Sequence, residues 1–70
     1  MNDYLIIYEQ GDDGGWGAYS PDVEGVIAVG ASRSEVEQRM SAAMITHLEV
    51  LREKGLPEPR PRNTPGYLAA

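Results

Sequence analysis

Cysteine is absent from this 70-residue sequence, and histidine and tryptophan occur once each. Without cysteine there is neither a disulfide brace nor a thiolate ligand. With His47 alone, a zinc site built from the usual His and Cys ligands would need several chains. Positive charge is also scarce: six Lys and Arg stand against eleven Asp and Glu, a net charge of −5. That balance argues against a phosphate-backbone partner, which calls for clustered cations, so no direct nucleic-acid binding is expected. It suits a basic protein partner or plain solubility. No apolar run approaches the roughly 18 residues of a membrane span. The opening residues MNDYLIIYEQ carry an acid at position 3 and no basic region, so no signal peptide is read there. A cytoplasmic protein is the expectation.

A chain of this length makes one domain and buries only about 60% of the surface its unfolded form exposes. Its core must be small. Lacking disulfides, it is expected to gain stability by oligomerisation, as a homodimer or higher homo-oligomer.

Residues 4–8 read YLIIY, rich in β-branched and aromatic side chains, and give way to GDDGG. This predicts a strand and a turn. WGAY at 16–19 predicts a second strand, antiparallel to the first. After the connection 20–25, VIAV at 26–29 predicts a short third strand closed by Gly30. Ser32-Arg-Ser-Glu35 then matches a capping box. Val36, Met40, Ala43, Met44, Leu48 and Leu51 follow at spacings of three and four, the stripe of an amphipathic helix. Lys54 suits the last turn and Gly55 the position after the C-cap, so the helix is predicted over 33–54. Ile45 and Val50 lie off the stripe, placed to meet the flank of the sheet or a second subunit.

The stretch LPEPRPRNTPGYLAA has four prolines in fifteen residues. Alternating Pro57, Pro59 and Pro61 favour extended polyproline II, and residues 66–69 could add a short edge strand. The expected fold is α+β: a two-layer sandwich of three antiparallel strands and one long helix, with a possible fourth strand. Residues 1–56 form the domain and 57–70 a Pro-rich tail. One sheet face has no helix in this chain to cover it, which marks it as an association surface.

Taken in order, these pieces resemble a family. A strand opens on Tyr4 and is followed by GDDGGWGAY, then Pro21-Asp22-Val23-Glu24-Gly25. Gly30-Ala31-Ser32 and Glu35 lead into the helix to Gly55, and Leu56-Pro57-Glu58-Pro59 closes the set. Over about residues 4–62 the chain resembles the HicB-like antitoxins of HicA–HicB toxin–antitoxin systems. Many members have Pro-Gly-Cys where this chain has Glu24-Gly25-Val26, Gly-Asp-Thr where it has Gly30-Ala31-Ser32, and Ala in place of Val36. Many also carry a ribbon-helix-helix or helix-turn-helix domain for operator binding; this sequence runs only fifteen residues past Gly55, so such a domain is not expected. The resemblance implies a truncated ribonuclease H-like fold, β-β-β-α-β. It also implies that the chain binds a small, basic, HicA-type RNase toxin and blocks it by covering its surface, without chemistry or a cofactor.

Candidate site residues carry competing readings. Asp12, Asp13, Asp22 and Glu24 form two acidic clusters on neighbouring loops, and a ribonuclease H would gather several carboxylates around Mg²⁺. A vestigial metal-dependent nuclease is therefore a rival function. But these acids sit among glycines and after a proline, as turns require, and the strand interiors YLIIY and VIAV hold no acid. They are read first as turn residues and second as contacts to a basic partner. Trp16 is either core or an interface anchor. Tyr4, Ile6 and Tyr8 share one parity and Leu5 and Ile7 the other. The aliphatic pair is expected under the helix and the Tyr4–Ile6–Tyr8 row on the open face, against a partner. His47 is read as a half-buried structural residue, since no nucleophile can be assigned to it. Ser32 and Glu35 are caps. A toxin-independent oligomeric scaffold is the third reading.

Overall fold

The computed structural model describes residues 3–70. Three strands, β1 (Ile7–Gln10), β2 (Trp16–Tyr19) and β3 (Ile27–Gly30), are followed by one helix, α1 (Arg33–Glu53). The strands form an antiparallel sheet in the order β1-β2-β3, with α1 lying over β3 and β2. This is the expected α+β class with a three-stranded antiparallel sheet and one helix.

Both ends of α1 are set by local chemistry. Ser32 Oγ accepts from the Glu35 N–H at 3.2 Å, while Glu35 Oε2 accepts from the Ala31 N–H at 3.3 Å. The reciprocal cap forms, with the carboxylate reaching one residue further back than a capping box requires. At the other end Gly55 takes φ +68, its N–H donates to Arg52 O at 3.1 Å, and the Leu56 N–H donates to Leu51 O at 2.9 Å. These are the two bonds of a Schellman motif, with glycine at the left-handed position.

The first strand begins later than expected, at Ile7 instead of Tyr4, for a reason found in β2. That strand ends at Tyr19, and Pro21 has no N–H to continue a ladder. The backbone of Leu5 is satisfied by side chains instead. Its carbonyl accepts from Ser20 Oγ at 2.7 Å, and its N–H donates to Asp22 Oδ2 at 2.9 Å. The third strand is shifted by one residue, to Ile27–Gly30, and Val26 is buried ahead of it.

Register decides the faces. Tyr8, Ala18 and Ala28 stand opposite one another, as do Ile7, Tyr19 and Ile27. The first row faces the helix. Ala18 and Ala28 join Val23, Val26, Val36 and Met40 in the buried core, with Tyr4, Ile6, Tyr8, Trp16, Ala43 and Met44 packed around it. The expected facing is therefore reversed: the Tyr4–Ile6–Tyr8 row lies on the helix side. Two alanines admit the helix closely over the middle of the sheet, and the aromatic rings fill the margin. At Gly30 the approach is so close that an added Cβ would lie 3.1 Å from Val36 Cγ2 and 3.2 Å from Glu35 Cδ.

The helix stripe is oriented as predicted, but burial fades along it. Val36 and Met40 are fully buried, while Ala43, Met44, Leu48 and Leu51 are half-buried. A 21-residue helix is about 31 Å long and a four-residue strand about 13 Å, so the second half of α1 runs beyond the sheet. Ile45 and Val50 are exposed there. Residues 56–70 form no helix or strand, so the expected fourth strand at 66–69 is not formed.

Candidate functional site

The stretch Pro21–Gly25 was a candidate for contact with a basic partner, and Asp22 within it turns inward. Asp22 and Ser20 are both buried. Ser20 Oγ accepts from the Asp22 N–H at 3.2 Å and so fixes the turn. Asp22 Oδ1 accepts from the Arg62 N–H at 2.9 Å, the Asn63 N–H at 3.0 Å and Asn63 Nδ2 at 2.6 Å. With the Leu5 bond to Oδ2, one carboxylate ties together the segment before β1, the β2–β3 turn and the chain beyond the helix. The backbone N–H groups of Leu5 and Arg62 hold its pKa down, from 3.8 to about 2, against the opposing effect of its own desolvation; Asn63 adds to the lowering through both its side chain and its backbone. The assignment of Asp22 to a partner surface is thus corrected: its oxygens are filled from within the chain.

The other acids stay outside. Asp12, Asp13 and Glu24 are exposed. Asp13 Oδ1 accepts from the Gly15 N–H at 2.9 Å, closing the β1–β2 turn together with the Gly14 N–H donating to Gly11 O at 3.0 Å. Among the described residues no three His, Asp or Glu side chains come together as a cation would require. The acids of the nuclease reading do not converge, because Asp22 points into the body while Asp12 and Asp13 cap a hairpin at the opposite end of β2.

Two surfaces are left for recognition. The first is a cleft of about 320 Å³ between the β1 side of the sheet and α1, lined among others by Tyr4, Ile6, Tyr8, Met44 and Ile45, with Asp3 and Glu37 at its rim. Tyr4 donates its hydroxyl to Pro59 O at 2.7 Å, so the Pro-rich segment holds one wall. The Arg33 guanidinium lies 4.9 Å from the centre of the Tyr8 ring. Tyr4, Ile6 and Tyr8 are half-buried, so they present part of their surface here and not on the open face. Trp16 is half-buried against the core. Sequence reasoning missed Glu37, Met44 and Ile45 as neighbours of that row; only the reversed facing brings them together. The second surface is the outer sheet face, where Tyr19, Ile27 and Val29 are bared.

His47 is half-buried beside Val26, Ala43 and Val50, as a structural histidine would be. Among the described residues no helix is long and apolar enough to cross a membrane. Comparison with known proteins found no matching family model, no similar curated protein and no similar solved structure.

Proposed function

We propose that the chain is a binding protein of the HicB-like antitoxin type, which neutralises a small basic RNase toxin by covering its surface. The observation that carries this reading is the β1–α1 cleft, an apolar and aromatic floor with Asp3 and Glu37 at its rim, Glu37 there paired with Arg33 at 2.9 Å. Such a site offers an anchor pocket to an apolar side chain and complementary charge to a basic surface around it. The chain's net charge of −5 steers the encounter in the same direction. Exposed Asp12, Asp13 and Glu24 add to that field without touching the cleft. No bond is made or broken; inhibition is steric and electrostatic.

The finer architecture belongs to the same proposal. In a truncated ribonuclease H-like arrangement the fourth strand would form from residues 66–69 only on assembly, because those residues are unpaired in the single chain. The rival nuclease reading has no geometric observation in its favour.

The test is reconstitution with a small basic RNase of the HicA type. A complex on gel filtration and suppression of RNA cleavage are expected, with both abolished by Ile45→Arg and weakened by Glu37→Lys at low salt. Unimpaired RNA cleavage in the presence of excess wild-type chain would refute the proposal. Folding of the variants is checked by circular dichroism, since both positions are exposed.

A further inference from the structure

The two edges of the sheet are finished differently. Along a strand, successive residues turn their N–H and C=O to opposite sides. The Leu5 N–H and C=O go to Asp22 and Ser20 beyond the end of β2, and the Gly11 N–H goes to Gly15 O at 2.8 Å. Residues 5, 7, 9 and 11 therefore face β2, and the backbone groups of Ile6, Tyr8 and Gln10 face away from it. Among the described residues no strand pairs with β1 on that side. The same alternation turns Val29 outward on β3, but there Arg39 Nη1 donates to Val29 O at 2.7 Å and closes the edge. Residues 4–10 hold neither proline nor lysine, the usual defences of a bare edge. The open edge borders the β1–α1 cleft, because α1 lies over β3 and β2 and leaves Tyr4, Ile6 and Tyr8 partly uncovered. Unpaired backbone and an apolar floor with a spacing of two thus lie side by side.

We propose that the free edge of β1 receives an extended segment of a basic partner protein as an added antiparallel strand, with apolar side chains at alternate positions in the cleft and Lys or Arg between them. The proposal rests on the cleft being the recognition site argued above, and adds how the partner is held. Backbone bonds to Ile6, Tyr8 and Gln10 give the attachment, and the cleft selects the parity. In an antiparallel pair the residues opposite Ile6 and Tyr8 turn their own N–H groups to β1 and their side chains to the helix side. One parity of the partner therefore supplies both the hydrogen bonds and the apolar anchors. The other parity lies opposite Ile7 and Glu9 on the outer face.

Charge selects a basic partner. Residues 3–32 hold six acids, Asp3, Glu9, Asp12, Asp13, Asp22 and Glu24, and no Lys or Arg. Asp22 is committed within the body, but Asp3 and Glu9 are exposed towards the two ends of the edge. Arg33 lies over the Tyr8 ring and is paired with Glu37 at 2.9 Å, so that pair adds no net charge to the cleft. A second copy of this chain is the wrong occupant. Two β1 edges set antiparallel would bring Asp3 and Glu9 of one copy towards the same acids of the other, and like charges across a strand pair repel.

The probe is a capped heptapeptide of alternating lysine and valine, titrated at low salt into the isotope-labelled chain and followed by amide NMR. Binding with a Kd tighter than about 1 mM is expected, with the Ile6, Tyr8 and Gln10 amides shifting and gaining protection from hydrogen exchange. Methylating the valine nitrogens blocks the bonds to β1 and should weaken binding about tenfold or more, whereas methylating the lysine nitrogens, which face away, should not. Replacing every lysine by glutamate should abolish binding, and so should sorting the same residues into a valine block and a lysine block. No shift at about 1 mM peptide would overturn the proposal. So would sensitivity to the opposite set of methyl groups, or glutamate or block peptides that bind as tightly. Protection of the three amides in the chain alone would overturn it too, since a second copy or residues 64–70 would then already fill the edge. The toxin test stays separate. A chain that suppresses RNA cleavage while these amides still exchange freely keeps the antitoxin reading and loses the added strand. A chain that binds the peptide on this edge and suppresses nothing keeps the strand and loses the antitoxin reading.

Discussion

Met40 is the residue on which the helix–sheet contact turns, and its removal has a calculable cost. It is 1% exposed and packs with Val36, Ala18 and Ala28 at the crossing of α1 over the sheet. Met40→Ala deletes three side-chain heavy atoms there. Such truncations cost about 2–5 kcal/mol, with the spread set by how far the site collapses. Half-buried Met44 can shift towards the void, which places the expected cost near ~3 kcal/mol. A 70-residue domain has a total stability of roughly 3.5–10 kcal/mol, so a third or more of it is at stake. At about 4–8 °C per kcal/mol for a domain of this size, the melting temperature should fall by about 12–24 °C. Thermal melts followed by far-ultraviolet circular dichroism at one fixed protein concentration read this directly. Two companions control the reading. Ile45→Ala, at a 56% exposed position on the same helix, should stay within about 0.5–1 kcal/mol of wild type. Met40→Leu conserves volume and should cost less than about 1.5 kcal/mol. If Ile45→Ala costs as much as Met40→Ala, the helix faces the sheet along a different stripe and the reasoning fails.

Other substitutions test the remaining joints. Asp22→Asn should destabilise the chain at neutral pH, because an amide presents an NH₂ to a ring of donors; the folded carboxyl lies at about 2 against 3.8 unfolded, so its contribution is fully present above about pH 4 and the wild-type advantage in acid-titrated melts should shrink as pH falls from 4 to 2. Gly30→Ala forces a methyl to 3.1 Å from Val36 and should cost about 1–3 kcal/mol in urea titration, with Val36→Ala partly rescuing it. Ser32→Ala removes the oxygen that receives the Glu35 N–H and should cost about 0.5–2 kcal/mol, visible as a lower urea midpoint at unchanged m-value.

The helix was legible nearly to the residue because its signals are local. Ser32 and Glu35 cap it, Lys54 and Gly55 stop it, and the stripe between them has a period that only a helix satisfies. The sheet's facing was not legible, since YLIIY is apolar on both parities and nothing within it distinguishes Tyr4–Ile6–Tyr8 from Leu5–Ile7. The deciding residues lie on other strands. Ala18 and Ala28 must be the inward positions because only small side chains let the helix approach, and Tyr8 stands opposite Ala18. Asp22 was misread for the same kind of reason. Pro-Asp in a connection has the local look of a solvated turn, whereas the donors that bury it come from Leu5, Arg62 and Asn63, up to 41 residues away.

That reassignment changes what the ordered motif set can say about function. Pro21 ends the ladder, Asp22 clamps three segments, Gly30 admits the helix, Ser32 caps it and Gly55 closes it. Every one of these positions is committed to holding the body together, so the resemblance they carry bears on architecture. Recognition must then fall to side chains the set leaves free to vary. On this surface those are Glu37, Ile45 and the bared parts of Tyr4, Ile6 and Tyr8 in the cleft, and Tyr19, Ile27 and Val29 on the outer face.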